Sequence, residues 1–448
     1  MYIDLDWIES IDPETGDVVM GGGQYPVKNL NFSPQVDMTG NSMPVNEYTC
    51  DVITTDEIPV ACIGHRLRDE LDQSWAEWPL RKVIRVAANC WRVTASSWLS
   101  ELEYTELEPR MYEEVRASEA IAECFGMNDD YEHPDDYTIS PSIQFKTVTG
   151  FAPAQNARER LTWLLFVLGA FPVDVFRDDV YIRAVDDTEA LVPPGRTFMR
   201  PSLDTGDTVT AIRLTAYTFR EGTEEEWQSD DNSFQFPTPW IATPQTFELT
   251  NPDADEDAPE NPVVFDSLYL INPDNVSEIA QRLATYWFNP VEASVACVNN
   301  RQFRPGDLVL AYTDIDRMIS GYVQQASFTF GKQARSTLKL IGVTKITPAK
   351  LTVRYTYQNN IIGKAVYYLP VGVAFSIDNP YLDQTKKKRR RIYRPTTPNA
   401  EGTMVDGGMT VNVNYEIALE LHQDILHIIS VDGVTKESSG GEQIGVIE

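Results

Sequence analysis

Between residues 275 and 343 the apolar positions change period, and the change divides the segment into a helix and a β-ribbon. Val276, Ile279, Ala280, Leu283, Ala284 and Trp287 recur at three- and four-residue steps, which puts one apolar stripe on a helix. Asn275 stands at the N-cap position with Glu278 three residues on, so the spacing predicts a capping box in which the Glu278 carboxylate accepts from the Asn275 amide. Asn289 and Pro290 end the helix. Period two then takes over. Glu292 to Val298 reads as a strand, Arg304-Pro305-Gly306-Asp307 turns the chain into Leu308 to Tyr312, and Asp314-Ile315-Asp316 makes the next turn. From Gly321 to Phe330 the alternation puts Tyr322, Ala326, Phe328 and Phe330 on one face and Val323, Gln325, Ser327 and Thr329 on the other. Gly331-Lys332-Gln333 permits a reversal into Ser336 to Val343.

A second helix is predicted from Asn156 to Ala170. Asn156 caps it, Glu159 lies in its first turn, Leu161, Leu164, Leu165 and Leu168 form its stripe, and Gly169 is its C-cap. A hairpin follows at once: Val173 to Phe176, the turn Arg177-Asp178-Asp179, then Val180 to Arg183. Near the start, Thr49 to Ile53, Arg81 to Ala87, Trp91 to Ala95 and Trp98 to Leu107 read as strands, with Gly21-Gly22-Gly23 and Thr39 to Pro44 as loops. Ser118 to Phe125 reads as a helix with Ile121, Ala122 and Phe125 inward. Strands resume at Thr208 to Tyr217. The acidic, proline-bearing stretch from Glu221 to Glu260 cannot bury itself and reads as long surface loops around a strand at Gln245 to Leu249. Beyond Val343 the pattern restarts, with strands at Leu351 to Tyr357, Ala365 to Leu369 and Met409 to Ile417 and a last pair built from Leu419, Leu421, Ile425, Ile428 and Ile429. Ser438-Ser439-Gly440-Gly441 opens a loose tail.

The order of helix, "PGD" turn, return strand with "SGYV" and final strand "STLKLIGV" resembles the closing portion of phage tail hub proteins, a group that includes baseplate hubs and the base of the type VI secretion spike. The helix-hairpin unit from Asn156 to Arg183 resembles the small α/β insert of such hubs, and "MPVNEYTCDV" with "VTASSWLSELEY" resembles their first barrel. The likeness spans residues 25 to 345 as an order of elements. It implies two β-barrels per chain related by approximate symmetry, three chains closing a ring of six barrels, and a position between a six-fold tail tube and a three-fold tip or spike. The opening and ending of the last module, "LTVRYTYQ" and "MTVNVNYEIAL", resemble small adhesin-type β repeats.

Composition narrows the function. At 448 residues the chain exceeds one ordinary core, and 42% hydrophobic with 10% aromatic residues excludes disorder for most of it. A net charge of -30 argues against a surface that grips nucleic acid, since phosphate contacts need a basic footprint. In a hub the same acidity would give a non-stick wall around the genome's path; in any protein it favours solubility. Cys50, Cys62, Cys90, Cys124 and Cys297 are odd in number and lack CxxC spacing, which points to buried free thiols made in a reducing cytoplasm. Met1-Tyr2-Ile3-Asp4-Leu5-Asp6 lacks the basic and apolar regions of a signal peptide. The longest apolar run, Leu161 to Val173, is interrupted by Thr162 and Pro172 and too short for a bilayer, so no stable membrane insertion is expected.

Candidate chemistry is sparse. His133 among Asp129, Asp130, Glu132, Asp135 and Asp136 could hold a divalent cation, but the spacing is not that of an EF-hand and no glycine supplies the central turn, so a solvated loop is the simpler account. His65, His422 and His427 have no Cys or Asp at ligand spacing. No GxSxG, HExxH, GxxxxGK[ST] or Cys/His signature is present. Two placed carboxylates would suffice for a glycosidase, but charge alone accounts for the many acids. Trp75, Trp78, Trp91 and Trp98 could line a carbohydrate groove; at strand spacing they are read as core. Lys386-Lys387-Lys388-Arg389-Arg390-Arg391 is the one cationic run, either a solvated loop tip or a contact with acidic loops of a neighbouring subunit.

The expected fold is α+β, mainly β: a first β-barrel at 1–110, an α/β insert at 111–200, a second β-barrel at 201–345 with long acidic loops and a helix at 275–288, and a β-rich module with a flexible tail at 346–448. No catalytic, cofactor-binding or metal residue is assigned, no cofactor is implied, and no enzyme activity is expected. The resemblance implies a structural hub of a virion tail, assembled in the host cytoplasm, acting as a homotrimeric symmetry adaptor in genome ejection. Its partners would be the tail tube and distal tail proteins and the tip, spike or fibre proteins, with DNA passing through the ring without specific binding. The other readings carried are a tail-associated lysin and a cell-surface adhesin.

Overall fold

A computed structural model of the chain describes residues 2–11, 18–38, 42–59, 62–68, 74–76, 78–126, 137–173, 180–184, 186–191, 200–223, 240–255, 257, 259–298, 303–314, 317–330, 335–357, 360–369, 375–378, 390–395, 399–405, 408–412, 415–421, 425–429 and 435–439. It forms two units, Met1–Ala190 with Gly195–Val309 and Gly321–Val343, and Leu191–Pro194 with Leu310–Ser320 and Thr344–Glu448. The class is the expected one, mainly β with a few helices.

In the first unit, β1 (Tyr2–Ile11) and β2 (Val18–Phe32) form a long antiparallel hairpin, from Tyr2↔Pro26 to Ile11↔Val18. Gly21, Gly22 and Gly23 lie inside β2 and not in the expected loop. Aromatic side chains over two of them, Trp7 from β1 and Tyr25 from β2 itself, explain this. A Cβ on Gly21 would run into the Trp7 indole, and one on Gly23 would lie 2.6 Å from the Tyr25 hydroxyl oxygen. An aromatic ring laid over a strand glycine restores the packing the glycine lacks.

Next come β3 (Glu47–Ile53), β4 (Cys62–Arg68), β5 (Ser74–Ala76), β6 (Leu80–Ala87) and β7 (Cys90–Ser96). Beneath them Leu30, Phe32, Tyr48, Cys50, Trp78, Trp91 and Val93 are buried. The Trp78 ring lies 5.2 Å from Phe32 and 5.8 Å from Tyr48, centroid to centroid. The segment Trp98 to Leu107, expected as a strand, is a 3-10 helix (Trp98–Tyr104) followed by the short β8 (Glu106–Leu107). Leu99 and Leu102 are its buried residues, and their three-residue spacing matches one 3-10 turn. Ser100 donates twice to the Ser97 carbonyl, from its amide at 3.0 Å and its hydroxyl at 2.6 Å.

The insert follows as β9 (Arg110–Arg116), α1 (Ala117–Cys124), β10 (Tyr137–Ile139), α2 (Pro141–Gln144), β11 (Thr147–Ala152), β12 (Gln155–Asn156), α3 (Ala157–Leu168), β13 (Ala170–Val173) and β14 (Val180–Ala184). Helix α3 is built as its residues predict: the Asn156 side chain accepts from the Glu159 amide at 2.9 Å, and Gly169 takes the left-handed C-cap conformation at φ 68°. Leu161, Leu164, Leu165 and Leu168 pack into the insert core with Tyr112, Ile121, Val148 and Ile182, while Phe166 faces a second core. A helix apolar on more than one side is buried on more than one side. Strands β13 and β14 pair antiparallel, but β13 begins at Ala170 where the helix was expected to end; of the strand expected at Val173 to Phe176 only Val173 is described, and residues 174–176 with the turn Arg177-Asp178-Asp179 lie outside the described residues.

The remainder of this unit holds nearly all of β15 (Asp186–Leu191), all of β16 (Ser202–Thr205), β17 (Ala211–Glu221), β18 (Trp240–Thr250), β19 (Pro262–Phe265), α4 (Val276–Trp287) and β20 (Val291–Val298), the start of β21 (Asp307–Asp314), and most of β22 (Arg317–Phe330) and β23 (Arg335–Ile346). The stripe of α4 is buried as expected through Val276, Ile279, Ala280 and Leu283, but the capping box does not form. Asn275 donates its side-chain nitrogen to Leu270 O at 3.0 Å and accepts from the Asn272 amide at 2.9 Å, so its side chain is committed to the preceding loop. Glu278 pairs instead with Lys146 at 3.2 Å. In β22 the buried face switches from Gly321 and Val323 to Ala326 and Phe328, so Val323 is core and not on the polar face. The switch falls where residues 34–36 join the strand: Val36 N donates to Gln324 O at 2.9 Å and Ala326 N to Pro34 O at 3.0 Å.

Among the described residues no barrel closes. One sheet instead runs β16-β20-β23-β22-β2-β1-β4-β5, with β3 on β2, β7 on β3 and β6 on β7. Strands expected in two separate barrels are thereby joined, because the 15-residue β2 is long enough to pair with β1 along one half and with β3 and β22 along the other. A separate sheet, β18-β17-β19, packs with α4.

The second unit contains β24 (Ala349–Tyr357), β25 (Asn360–Leu369), β26 (Phe375–Asp378), β27 (Arg390–Pro395), β28 (Asn399–Val405), β29 (Gly408–Asn412), β30 (Tyr415–Leu421), β31 (Ile425–Ile429) and β32 (Thr435–Ser439). They form sheets ordered β25-β24-β28-β29-β32 and β26-β27-β30-β31. The single strand expected at Met409 to Ile417 is two strands in different sheets, and the last pair is the β30–β31 hairpin with Leu421 opposite Ile425.

Candidate functional site

The Pro-Gly-Asp turn meets the insert hairpin at an ion pair. Arg304 N donates to Asp307 Oδ2 at 2.7 Å, Asp307 N to Arg304 O at 3.1 Å, and Gly306 N to Val323 O at 2.7 Å, which closes the turn on β22. Gly306 has φ 90°, a conformation that disfavours other residues, and a Cβ there would run into the Phe171 ring of β13. Asp307 Oδ1 also accepts from Arg183 Nη1 of β14 at 3.0 Å, with only 11% of the Arg183 side chain and 17% of the Asp307 side chain exposed. Phe171 and Val173 then pack with Tyr286 of α4 and Ile341 of β23. The turn thus fixes the insert to the ribbon by shape and by charge.

A second joint ties α3 to α4. The last carbonyls of α3 receive two cations: Lys146 Nζ donates to Leu168 O at 3.1 Å, and Arg282 of α4 donates to Phe166 O. Cations suit a helix C-terminus, where the unpaired carbonyls leave partial negative charge. The Arg282 guanidinium also lies 5.3 Å from the Phe166 ring centroid. Burial holds its pKa below the usual value for arginine, while Tyr286, Glu278 and Asp37 act in the opposite direction.

Beside this joint lies a cleft of about 650 Å³. Trp163 and Phe166 of α3 and Phe265 and Leu268 at the end of β19 supply apolar walls; Glu103, Arg158, Glu159 and Asp266 supply charge. Arg158 spends its guanidinium on Glu103 and on the Met43 carbonyl. Among the described residues strand β19 is paired on one side only, parallel to β17.

Few of the singled-out polar residues enter these places. His133 with Asp129, Asp130, Glu132, Asp135 and Asp136 lies outside the described residues, as do His422 and Lys386 to Arg389; Arg390 and Arg391 open β27. His65 lies in β4 and His427 in β31. Among the described residues no group of three or more His, Cys, Asp and Glu could hold a metal ion, and no helix is long and apolar enough to cross a membrane. Trp78 and Trp91 are core with indole nitrogens that have no hydrogen-bond partner among the described residues, Trp98 is 45% exposed, and the Trp75 side chain lies outside what is described. Cys50, Cys124 and Cys297 are buried and Cys90 half-buried, all as free thiols. Burial pushes the thiols of Cys50 and Cys124 up to about 12 and that of Cys297 up to about 11. Such thiols are poor nucleophiles. Sequence reasoning missed the cleft and Arg282; the one signal available was α3's apolar residues off the leucine stripe, Trp163 and Phe166.

No protein-family model and no curated protein matches this sequence. Solved structures do resemble it. The tail protein from Neisseria meningitidis MC58 matches with a TM-score of 0.49 at 8% identity, covering 76% of this chain and 96% of that one. The prophage tail protein gp18 from Listeria monocytogenes EGD-e matches with a TM-score of 0.47 at 11% identity over 76% and 94%. A component of the E. coli type VI secretion system, described as structurally similar to bacteriophage T4 tail proteins, matches with a TM-score of 0.40 at 7% identity over 89% and 86%.

Proposed function

We propose that this chain is a structural tail hub of a phage or phage-like particle. Three copies close a ring of pseudo-six-fold character that adapts a six-fold tail tube to a three-fold tip or spike. The observation that carries the reading is the seated turn: the order α4, β20, Pro-Gly-Asp, β21, β22 and β23 is the hub-like order of the sequence, and Gly306 and Asp307 lock it to the α/β insert through Phe171 and Arg183. The strands of residues 1–110 and 201–345 form the ring wall, and residues 346–448 lie outside it. Its partners are the tube and distal tail proteins on one side and the tip, spike or fibre proteins on the other. The acidic wall, from a net charge of -30, keeps DNA from adhering as it passes. The chain performs no catalysis on peptidoglycan, capsule or peptides. It assembles in the host cytoplasm and resides in the virion tail. Electron microscopy of intact particles tests this: three copies at the distal end of the tube are expected, and six or twelve copies, or a place on the capsid, would refute the adaptor role.

A further inference from the structure

We propose that the cleft beside α3 and β19 is a docking groove for an extended segment of a different protein chain, one in which lysine or arginine stands next to large apolar residues. Three observations converge on it. The volume, about 650 Å³, is in the range of built binding sites, and Trp163, Phe166, Phe265 and Leu268 give it apolar walls. Strand β19 borders it with one edge that pairs with no strand among the described residues, and Val263, Val264 and Phe265 carry no charge to discourage a further strand. Val264 is 54% exposed. An incoming extended segment would add main-chain hydrogen bonds along that edge and place alternate side chains in the cleft, the recognition mode of strand addition.

Charge selects the occupant. Three carboxylates, Glu103, Glu159 and Asp266, face one guanidinium, Arg158, which is already paired with Glu103. Glu159 and Asp266 have no cationic partner among the described residues; the Asp266 carboxylate accepts from the Ser267 hydroxyl at 3.0 Å. A basic side chain beside an apolar one satisfies both the rim and the walls. Nucleic acid and acidic segments are repelled; the one basic run of this chain, Lys386 to Arg391, is what a second copy would offer, so self-association is the competing outcome of the test. The groove does not depend on the ring, and particle microscopy and peptide binding fail separately.

The test uses the full chain and two fluorescein-labelled peptides, the basic SLKFRVS and its acidic counterpart SLEFEVS, read by fluorescence anisotropy at low salt. Saturable binding of the basic peptide is expected, with the acidic one weaker by about tenfold or more. The double variant Glu159→Lys, Asp266→Lys should lose the basic peptide and gain the acidic one. Hydrogen exchange on the unaltered chain supplies a readout independent of any variant: the basic peptide should protect the amides of Val263, Val264 and Phe265. No saturable binding, indifference to the charge reversal, protection elsewhere, or self-association that the reversal abolishes would each overturn the proposal.

Discussion

Replacing Asp307 tests whether the Pro-Gly-Asp turn is a joint or only a reversal of the chain. Asp307→Ala removes the acceptor of the Arg304 amide, worth about 1 kcal/mol net. It also removes the carboxylate 3.0 Å from Arg183. Breaking a fully buried pair costs about 3–5 kcal/mol because the surviving charge is left in a poor solvent. With 11% and 17% of the two side chains still reached by water, roughly half of that is expected, which brings the total to about 3 kcal/mol. Asp307→Asn keeps a carbonyl for the Arg304 amide and offers Arg183 a neutral hydrogen bond, so its cost should be smaller, about 1–2 kcal/mol. Arg183→Met combined with Asp307→Ala should cost less than the two single changes added, by about 1–2 kcal/mol. Urea denaturation followed by tryptophan fluorescence measures each as a midpoint shift at constant slope. An Asp307→Ala protein within about 0.5 kcal/mol of the original, or an additive double variant, would show that the turn does not hold the insert.

Gly306→Ala should cost about 2–4 kcal/mol, from φ 90° and from the collision with Phe171; an unchanged urea midpoint would contradict this. Alkaline titration probes the buried thiols. Their folded pKa values, about 12 for Cys50 and Cys124 and about 11 for Cys297, lie above the ordinary 9.0, so their stabilisation is complete below that value and is lost as pH rises through the folded values. Each contributes a slope of up to about 1.4 kcal/mol per pH unit in that window. Cys50→Ala should therefore flatten the fall in Tm between about pH 9 and about pH 11, and an unaltered slope would count against the assignment. Replacing Lys386, Lys387, Lys388, Arg389, Arg390 and Arg391 with serine should leave the chain folded yet weaken assembly on an acidic neighbour, more so at low salt. Equal assembly of both proteins at low salt in a pull-down would mark the run as a solvated loop tip.

What the residues disclosed was mostly local. The cap and C-cap of α3 rest on Asn156 and Gly169, each acting within one turn, and both form as their chemistry dictates. Where a partner lies far along the chain, the local rule gives way. Gly21 to Gly23 read as a loop until Trp7 is found across the hairpin. Asn275 read as half of a capping box until Leu270 and Asn272 took its side chain. Trp98 to Leu107 held a legible signal that period-two counting passed over, since Leu99 and Leu102 are three apart. Among the described residues one sheet joins strands of both expected barrels, and nothing in the period of β2 reveals which partner takes each half. The cleft left one trace in the sequence, Trp163 and Phe166 off the leucine stripe; its lining comes from residues 42–43, 103, 155, 156, 158, 159, 162, 163, 166 and 264–268, brought together only by folding.

The turn shows how a short motif acquires its meaning from distant residues. Pro305 and Asp307 would favour a reversal in any chain, and glycine is the cheapest residue where φ is positive. None of that requires the aromatic ring of Phe171 where a Cβ on Gly306 would sit, or a guanidinium aimed at the free oxygen of Asp307. With both present, the same three residues set the register of β21 against β22 through the Gly306 amide and position β13 and β14 against the ribbon. A free insert would cost ordering entropy each time a neighbour bound it. Held here by packing and by charge, it is already in place, and the adaptor role proposed above would draw on that pre-organisation.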